Sequence, residues 1–158
     1  MKKKILIGIL VLLIVVQFIQ PDLNKGSASS AQDVTHVVNV PDSVMSLLKT
    51  ACYDCHSDNT RYPWYSKITP LNWWLKDHVD DGKKELNFSQ FNKGTFKRKE
   101  HKMEEVAETV EKFEMPLKSY LWIHSEAKLN DAERKLLIDW ATASRKQIMQ
   151  DSMMAVVQ

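Results

Sequence analysis

The sequence predicts a small all-α domain preceded by an N-terminal membrane segment. Three observations carry this reading. Apolar residues recur at helical spacing in four stretches, no stretch alternates convincingly over the length of a strand, and a run of apolar residues follows three lysines at the start. The 158 residues suit one domain of ordinary size plus extras, enough to bury a sizeable core. Ordinary apolar content and only four glycines exclude a disordered or collagen-like bulk. No internal repeat is present.

Lys2, Lys3 and Lys4 precede the run Ile5 to Ile19, which is apolar save for Gly8 and Gln17. Lysines at that position stay on the cytoplasmic side, so the chain behind them is expected to be exported. A helix over this run rises about 22 Å, short of a hydrocarbon core of roughly 30 Å. That length favours a signal peptide. The small-residue stretch from Gly26 to Ala31 lies far from the apolar run, with Pro21 between, which favours a retained anchor. Residues 1–20 are therefore read as a signal peptide or N-terminal membrane anchor, with the anchor preferred. Either outcome places the domain on the periplasmic side of the cytoplasmic membrane, tethered or, after cleavage, soluble. Residues 21–36 read as a flexible tether, 37–150 as the domain and 151–158 as a C-terminal tail.

Four helices are predicted in the domain. The first has Val44, Leu47, Leu48 and Ala51 on one face and starts near Pro41 or Asp42. The second starts at Thr69-Pro70, presents Leu71, Trp74, Leu75 and His78, and ends at Gly82. The third carries Met103, Val106, Ala107, Val110 and Phe113. The fourth opens with the capping box Asn130-Asp131-Ala132-Glu133 and buries Leu137, Trp140, Ala141 and Ile148. A long ordered loop, 57–68, joins the first two.

Charge narrows the partners. Four lysines against Asp22 give residues 1–30 a net charge of +3; since the whole chain carries +2, the rest carries −1. No basic tract remains in the folded part, which argues against a nucleic-acid partner.

The chemistry concentrates in Cys52-Tyr53-Asp54-Cys55-His56. These are the two cysteines of the chain, and C-x-x-C-H is the attachment signature of c-type haem. Two thiols at that spacing reach the two vinyl groups of one haem edge, and the adjacent His56 then supplies the proximal nitrogen. Zinc wants four ligands, but there is no second C-x-x-C and no paired histidines. A thioredoxin-like pair expects a βαβ context, which is absent. A disulfide fits an exported chain but is ill served by a two-residue spacer with a following histidine. The predicted cofactor is one haem c, covalently held by Cys52 and Cys55.

For the sixth iron position Met115 comes first, because Pro116 forces it out of helical geometry and frees its thioether to project. His78 and His124 are the alternatives. Of the five tryptophans, Trp64 and Trp74 are expected to touch the haem, and Arg61, beside Tyr62, to bind a propionate.

The run from Ala51 to Tyr65, with Pro70, Trp73-Trp74, His78-Val79, Gly82, Leu86-Asn87-Phe88-Ser89, Met115-Pro116-Leu117, Tyr120, His124, Ala127, Leu129 and Trp140, resembles the bacterial haem-binding domain family of exported C-x-x-C-H proteins. The resemblance spans roughly residues 38–145. Lys83 departs from it, standing where arginine is expected after Gly82. The Met-Pro element and the helix behind it are similar to the C-terminal half of ordinary cytochromes c, so the expected fold is a small cytochrome c-like helical domain around one haem. The resemblance implies haem binding and an exported, often membrane-tethered location.

The expected function is one-electron transfer with an unknown redox protein partner, and no enzymatic activity, since two axial ligands close the iron. A haem-based sensor, or a protein handling a small ligand or peroxide, is the alternative if the distal position opens.

Overall fold

The computed structural model describes residues 2–26 and 30–157. Among the described residues, seven α-helices follow one another: α1 Lys2–Val16, α2 Asp42–Ala51, α3 Tyr53–His56, α4 Leu71–Glu85, α5 Phe96–Glu111, α6 Lys118–Leu121 and α7 Asp131–Val157. Short 3₁₀ turns at Val34–His36, Trp64–Lys67, Phe88–Lys93 and Ser125–Ala127 link them. Extended pairing among the described residues is limited to a single bridge between Lys25 and Asn59.

The expected N-terminal membrane segment is overturned. Helix α1 has 15 residues, and no helix among the described residues is long and apolar enough to cross a membrane. The physical reason is length: its rise of about 22 Å falls short of a hydrocarbon core of roughly 30 Å. Ser27, Ala28 and Ser29 of the small-residue stretch lie outside the described residues.

Residues 17–26, expected within the leader and tether, are seated on the domain. The Gln17 side chain donates to the Thr69 carbonyl and accepts from the Thr69 amide, both at 3.0 Å. Gln20 accepts from Asn72 at 2.8 Å. The Asn24 side chain donates to Ser57 O at 2.8 Å and Thr60 Oγ1 at 2.9 Å, and its backbone amide donates to the Tyr62 hydroxyl at 2.6 Å. Further on, Val34 is fully buried in the main core.

That core is built by α2, α5 and α7, with Phe88 and Phe91 beneath them. Leu48, Phe88, Met103, Leu137 and Ile148 are almost wholly removed from water, worth about 1.5–3 kcal/mol each. Helices α5 and α7 share the largest helix–helix interface, fastened at its edge by Arg145, which pairs with Glu100 at 2.6 Å and Glu104 at 2.8 Å. The capping box of α7 closes as its spacing predicts: Asn130 N donates to Glu133 Oε2, and Glu133 N to Asn130 Oδ1, both at 2.9 Å. Leu137, Trp140, Ala141 and Ile148 are buried as expected. The helix continues to Val157, so residues 151–157 extend it where a tail was expected.

Helix α4 departs from its predicted face. Asn72, Leu75 and Val79 are buried, while Leu71 and Trp74 are largely exposed. The rotation lets Asn72 meet Gln20 and Thr69 and turns the Trp74 side of α4 toward a surface cavity. Nor does Gly82 end the helix, which runs on to Glu85.

Candidate haem site

The site begins with one helical turn. Cys55 N and His56 N both donate to Cys52 O, at 3.2 and 2.9 Å, so α3 gathers two thiols and an imidazole. The far side of the turn is anchored by buried Asp54. Its carboxylate receives Arg61 Nε at 3.1 Å, Arg61 Nη2 at 3.2 Å and the Tyr120 hydroxyl at 2.7 Å. Thr60 Oγ1 donates to the Asp54 carbonyl at 2.7 Å. The motif is thereby tied both to the loop that follows it and to α6.

Its near side rests on α4. A Cβ added to Gly82 would meet Cys55 O at 2.7 Å and Cys55 Cβ at 3.1 Å, so only glycine lets the two helices approach this closely. The approach fixes the histidine. His56 Nδ1 lies 2.9 Å from Gly82 O and 3.0 Å from Leu86 O. Both partners are acceptors, so Nδ1 carries the proton, and Nε2 keeps its lone pair with no hydrogen bond to a described residue. Orientation of one ring nitrogen by backbone carbonyls is how proteins prepare an imidazole for a metal. Burial pushes the His56 pKa down against the opposing pull of the two carbonyls, which favours the neutral, ligating form. Burial also pushes the Cys52 thiol up to about 12, with Cys55 adding to it. Cys55 rises to about 11, through burial first and Asp54 second.

Three adjoining cavities surround the turn. The largest, about 370 Å³, is lined by Cys52, His56, Phe88, Val106 and Met115. The smallest, about 30 Å³, touches Cys52, Cys55, His56, Met115 and Tyr120. The third, about 140 Å³, lies on the Cys55 side and is lined by Trp64, Trp74, Leu75 and His78. The smallest shares residues with both others, so the space wraps around the motif. An apolar crevice, two thiols and an imidazole with a free Nε2 fit a haem.

Met115 enters this space by a defined turn. Helix α5 closes with Phe113 in the left-handed region (φ 59°), Phe113 N donating to Val110 O and Glu114 N to Thr109 O. This is a Schellman ending with phenylalanine where glycine is usual. Met115 N also donates to Thr109 O, at 3.2 Å, which folds Met115 back over the cavity shared with His56.

The other candidates separate. His78 lies in the third cavity, its Nδ1 2.9 Å from Trp74 O and its ring 4.2 Å from that of Trp74. His124 has both nitrogens engaged, Nε2 with the Tyr65 hydroxyl at 2.8 Å and Nδ1 with Glu126 at 3.1 Å. Arg61 lines none of the three cavities, because Asp54 holds its guanidinium. Trp64 is 73 % exposed and Trp74 47 %, both beside Cys55. Lys83 pairs with Asp58 at 3.0 Å and Asn24 at 2.6 Å. Sequence reasoning named Asp54, Gly82, Leu86 and Tyr120 within its motifs but missed the grip of Tyr120 on Asp54 and of the Gly82 and Leu86 carbonyls on His56. The 26-residue separation of His56 from Gly82 carries no periodic signal, and Asp54 is masked by the motif around it.

A family model described as haem-binding domain matches residues 11–143, most of the chain. No curated protein and no solved structure matches it. The match and the donor set around Cys52 agree: the chain belongs to the haem-binding domain family, and it binds haem.

Proposed function

We propose that the haem is of c type, joined to Cys52 and Cys55 by thioether bonds and ligated by His56 and Met115, and that the protein carries single electrons outside the cytoplasm rather than catalysing a reaction. One observation carries this reading: His56 Nδ1 is committed to two backbone carbonyls, and the cavity that His56 lines also holds Met115.

The bound haem supplies the redox-active iron; the residues of the chain govern what that iron can do. Cys52 and Cys55 would each hold the haem by adding a thiol across a vinyl group, the sulfur bonding to one carbon and the proton going to the other. Gly82 O and Leu86 O hold the imidazole in one tautomer, so Nε2 needs no rearrangement to ligate. Met115 supplies a thioether, which raises the reduction potential relative to a second histidine. Phe88 and Val106 give the crevice an apolar wall. His56 and Met115 together would hold the iron from the chain itself, which would leave no place for a substrate. Export is supported by Lys2 to Lys4 ahead of the apolar α1, which together have the character of a secretion signal.

The test is made on full-length protein produced with a haem-attachment system. Its denatured mass is expected to exceed that of the polypeptide by one haem, and the ferric form to show the weak near-infrared band of methionine ligation. Met115→Ala should abolish the band and open the iron to carbon monoxide. A polypeptide-only mass would refute covalent attachment. A wild type already open to carbon monoxide would refute electron transfer and favour a ligand sensor. Loss of the closed site in His78→Ala, with Met115→Ala unchanged, would reassign the ligand.

A further inference from the structure

A second cleft, of about 300 Å³, lies between the Phe88–Lys93 turns and the start of α5. Lys84, Lys93, Arg98, Lys99 and Lys102 line it. Lys99 is only 7 % exposed, yet its ammonium has no carboxylate partner among the described residues; it donates to Asn92 Oδ1 at 3.2 Å and sits 4.8 Å from the Phe96 ring centroid. Neither Lys93 nor Arg98 has an ion pair among the described residues, and the one acid lining the cleft, Glu85, is paired to Lys102. The backbone adds to the imbalance. The first turn of α5 contains no acid and carries Lys97, Arg98 and Lys99 at the helix's positive end, where cations are unfavourable. A buried ammonium without a carboxylate, beside further unpaired cations, is costly to fold unless an anion joins it.

We propose that this cleft binds an oxyanion, a carboxylate or phosphate group, held chiefly by Lys99 and Arg98. Two sources have that chemistry. One is free phosphate. The other is a propionate of the chain's own haem, since Glu85, Leu86 and Lys102 line both this cleft and the largest cavity beside His56. Only the second source rests on the haem assignment.

The experiment uses full-length, haem-loaded protein, its loading verified by mass so that failure of haem attachment is seen separately. Inorganic phosphate is titrated calorimetrically at constant ionic strength in chloride, and the reduction potential is measured in parallel. The variants are Lys99→Met, Arg98→Gln at an exposed position, and Lys49→Gln on α2 as a control. If free phosphate is the ligand, wild type binds one equivalent, and Lys99→Met and Arg98→Gln each weaken it roughly tenfold or more. If a propionate fills the cleft, wild type binds no phosphate, and the potential shifts in Lys99→Met and Arg98→Gln but not in Lys49→Gln. Absence of phosphate binding together with an unmoved potential would overturn the proposal. Lys99→Met should also match or exceed wild-type thermal stability in chloride, because it removes a buried charge whose described partners are a neutral amide and an aromatic ring; a marked loss of stability in chloride would count against a cation in need of an anion.

Discussion

Gly82→Ala tests the idea that backbone proximity, more than any side-chain contact, fixes the His56 imidazole. In an ordinary helix the change would stabilise by about 1 kcal/mol. Here the new methyl would sit 2.7 Å from Cys55 O and 3.1 Å from Cys55 Cβ. The first partner is backbone, so α3 and α4 must move apart. Overpacking of this kind costs about 1–3 kcal/mol, and stretching the 2.9 Å bond from His56 Nδ1 to Gly82 O costs about 1 more. The net expectation is a loss of about 2 kcal/mol, or a fall in Tm of roughly 4–8 °C for a chain of this size. The assay is thermal denaturation of the haem-loaded protein, followed in the haem absorption band. Gly94→Ala is the control. There φ is −72° and the nearest side-chain carbon lies at an unstrained 3.4 Å, so a small gain, up to about 1 kcal/mol, is expected. If Gly82→Ala were as stable as Gly94→Ala, the separation of α3 and α4 would not be set at this residue, and the account of His56 would fail.

Phe113 occupies the left-handed position that ends α5, so Phe113→Gly is expected to be more stable than Phe113→Ala by about 1 kcal/mol in denaturant titration, the reverse of helix propensity; both lose the contact with the Arg134 guanidinium, 4.0 Å above the ring. At Asp58 burial raises the carboxyl pKa, but hydrogen bonds from Asn87, Gln90 and Lys83 outweigh it and leave it below the ordinary 3.8. Its stabilisation is therefore fully present above pH 3.8 and is lost as the pH falls through the lower folded value, so the stability gap between wild type and Asp58→Asn should be wide at neutral pH and narrow in strong acid. His124→Ala should leave the haem spectrum unchanged, because both imidazole nitrogens already have protein partners; a change would place His124 at the iron.

What was legible in the sequence was local. The capping box at Asn130 and the apolar spacing of Val44, Leu48 and Ala51 depend on neighbours within a turn or two, and those helices stand where the pattern puts them. C-x-x-C-H is local too, and it stands on the single turn of α3 with the N-cap Cys52, so residue identities alone locate that turn. The rest depends on partners far along the chain. The buried face of α4 is set by Asn72 meeting Gln20, a polar contact across 52 residues that no hydrophobic period encodes. Arg61, expected at a propionate from its place in the loop after the motif, has its guanidinium paired with Asp54, seven residues back, a partner that the sequence does not single out. Gly82 read as a helix stop because glycine commonly is one, whereas here it serves a close approach within a continuing helix.

The contacts of Gln17, Gln20 and Asn24 give the position of any proteolytic cut a mechanical meaning. These three side chains grip Thr69, Asn72, Ser57 and Thr60, which lie in and beside the long loop behind the Cys52–His56 turn. A protease acting ahead of Gln17 would remove the apolar helix and leave the loop braced at both ends. One acting after Gly26 would remove helix and brace together, freeing the Tyr62 hydroxyl and leaving Lys83 with Asp58 alone. The two products would share the same Cys52–His56 turn and differ in the stiffness of the wall beside it, so the place of a cut would set how readily that wall breathes.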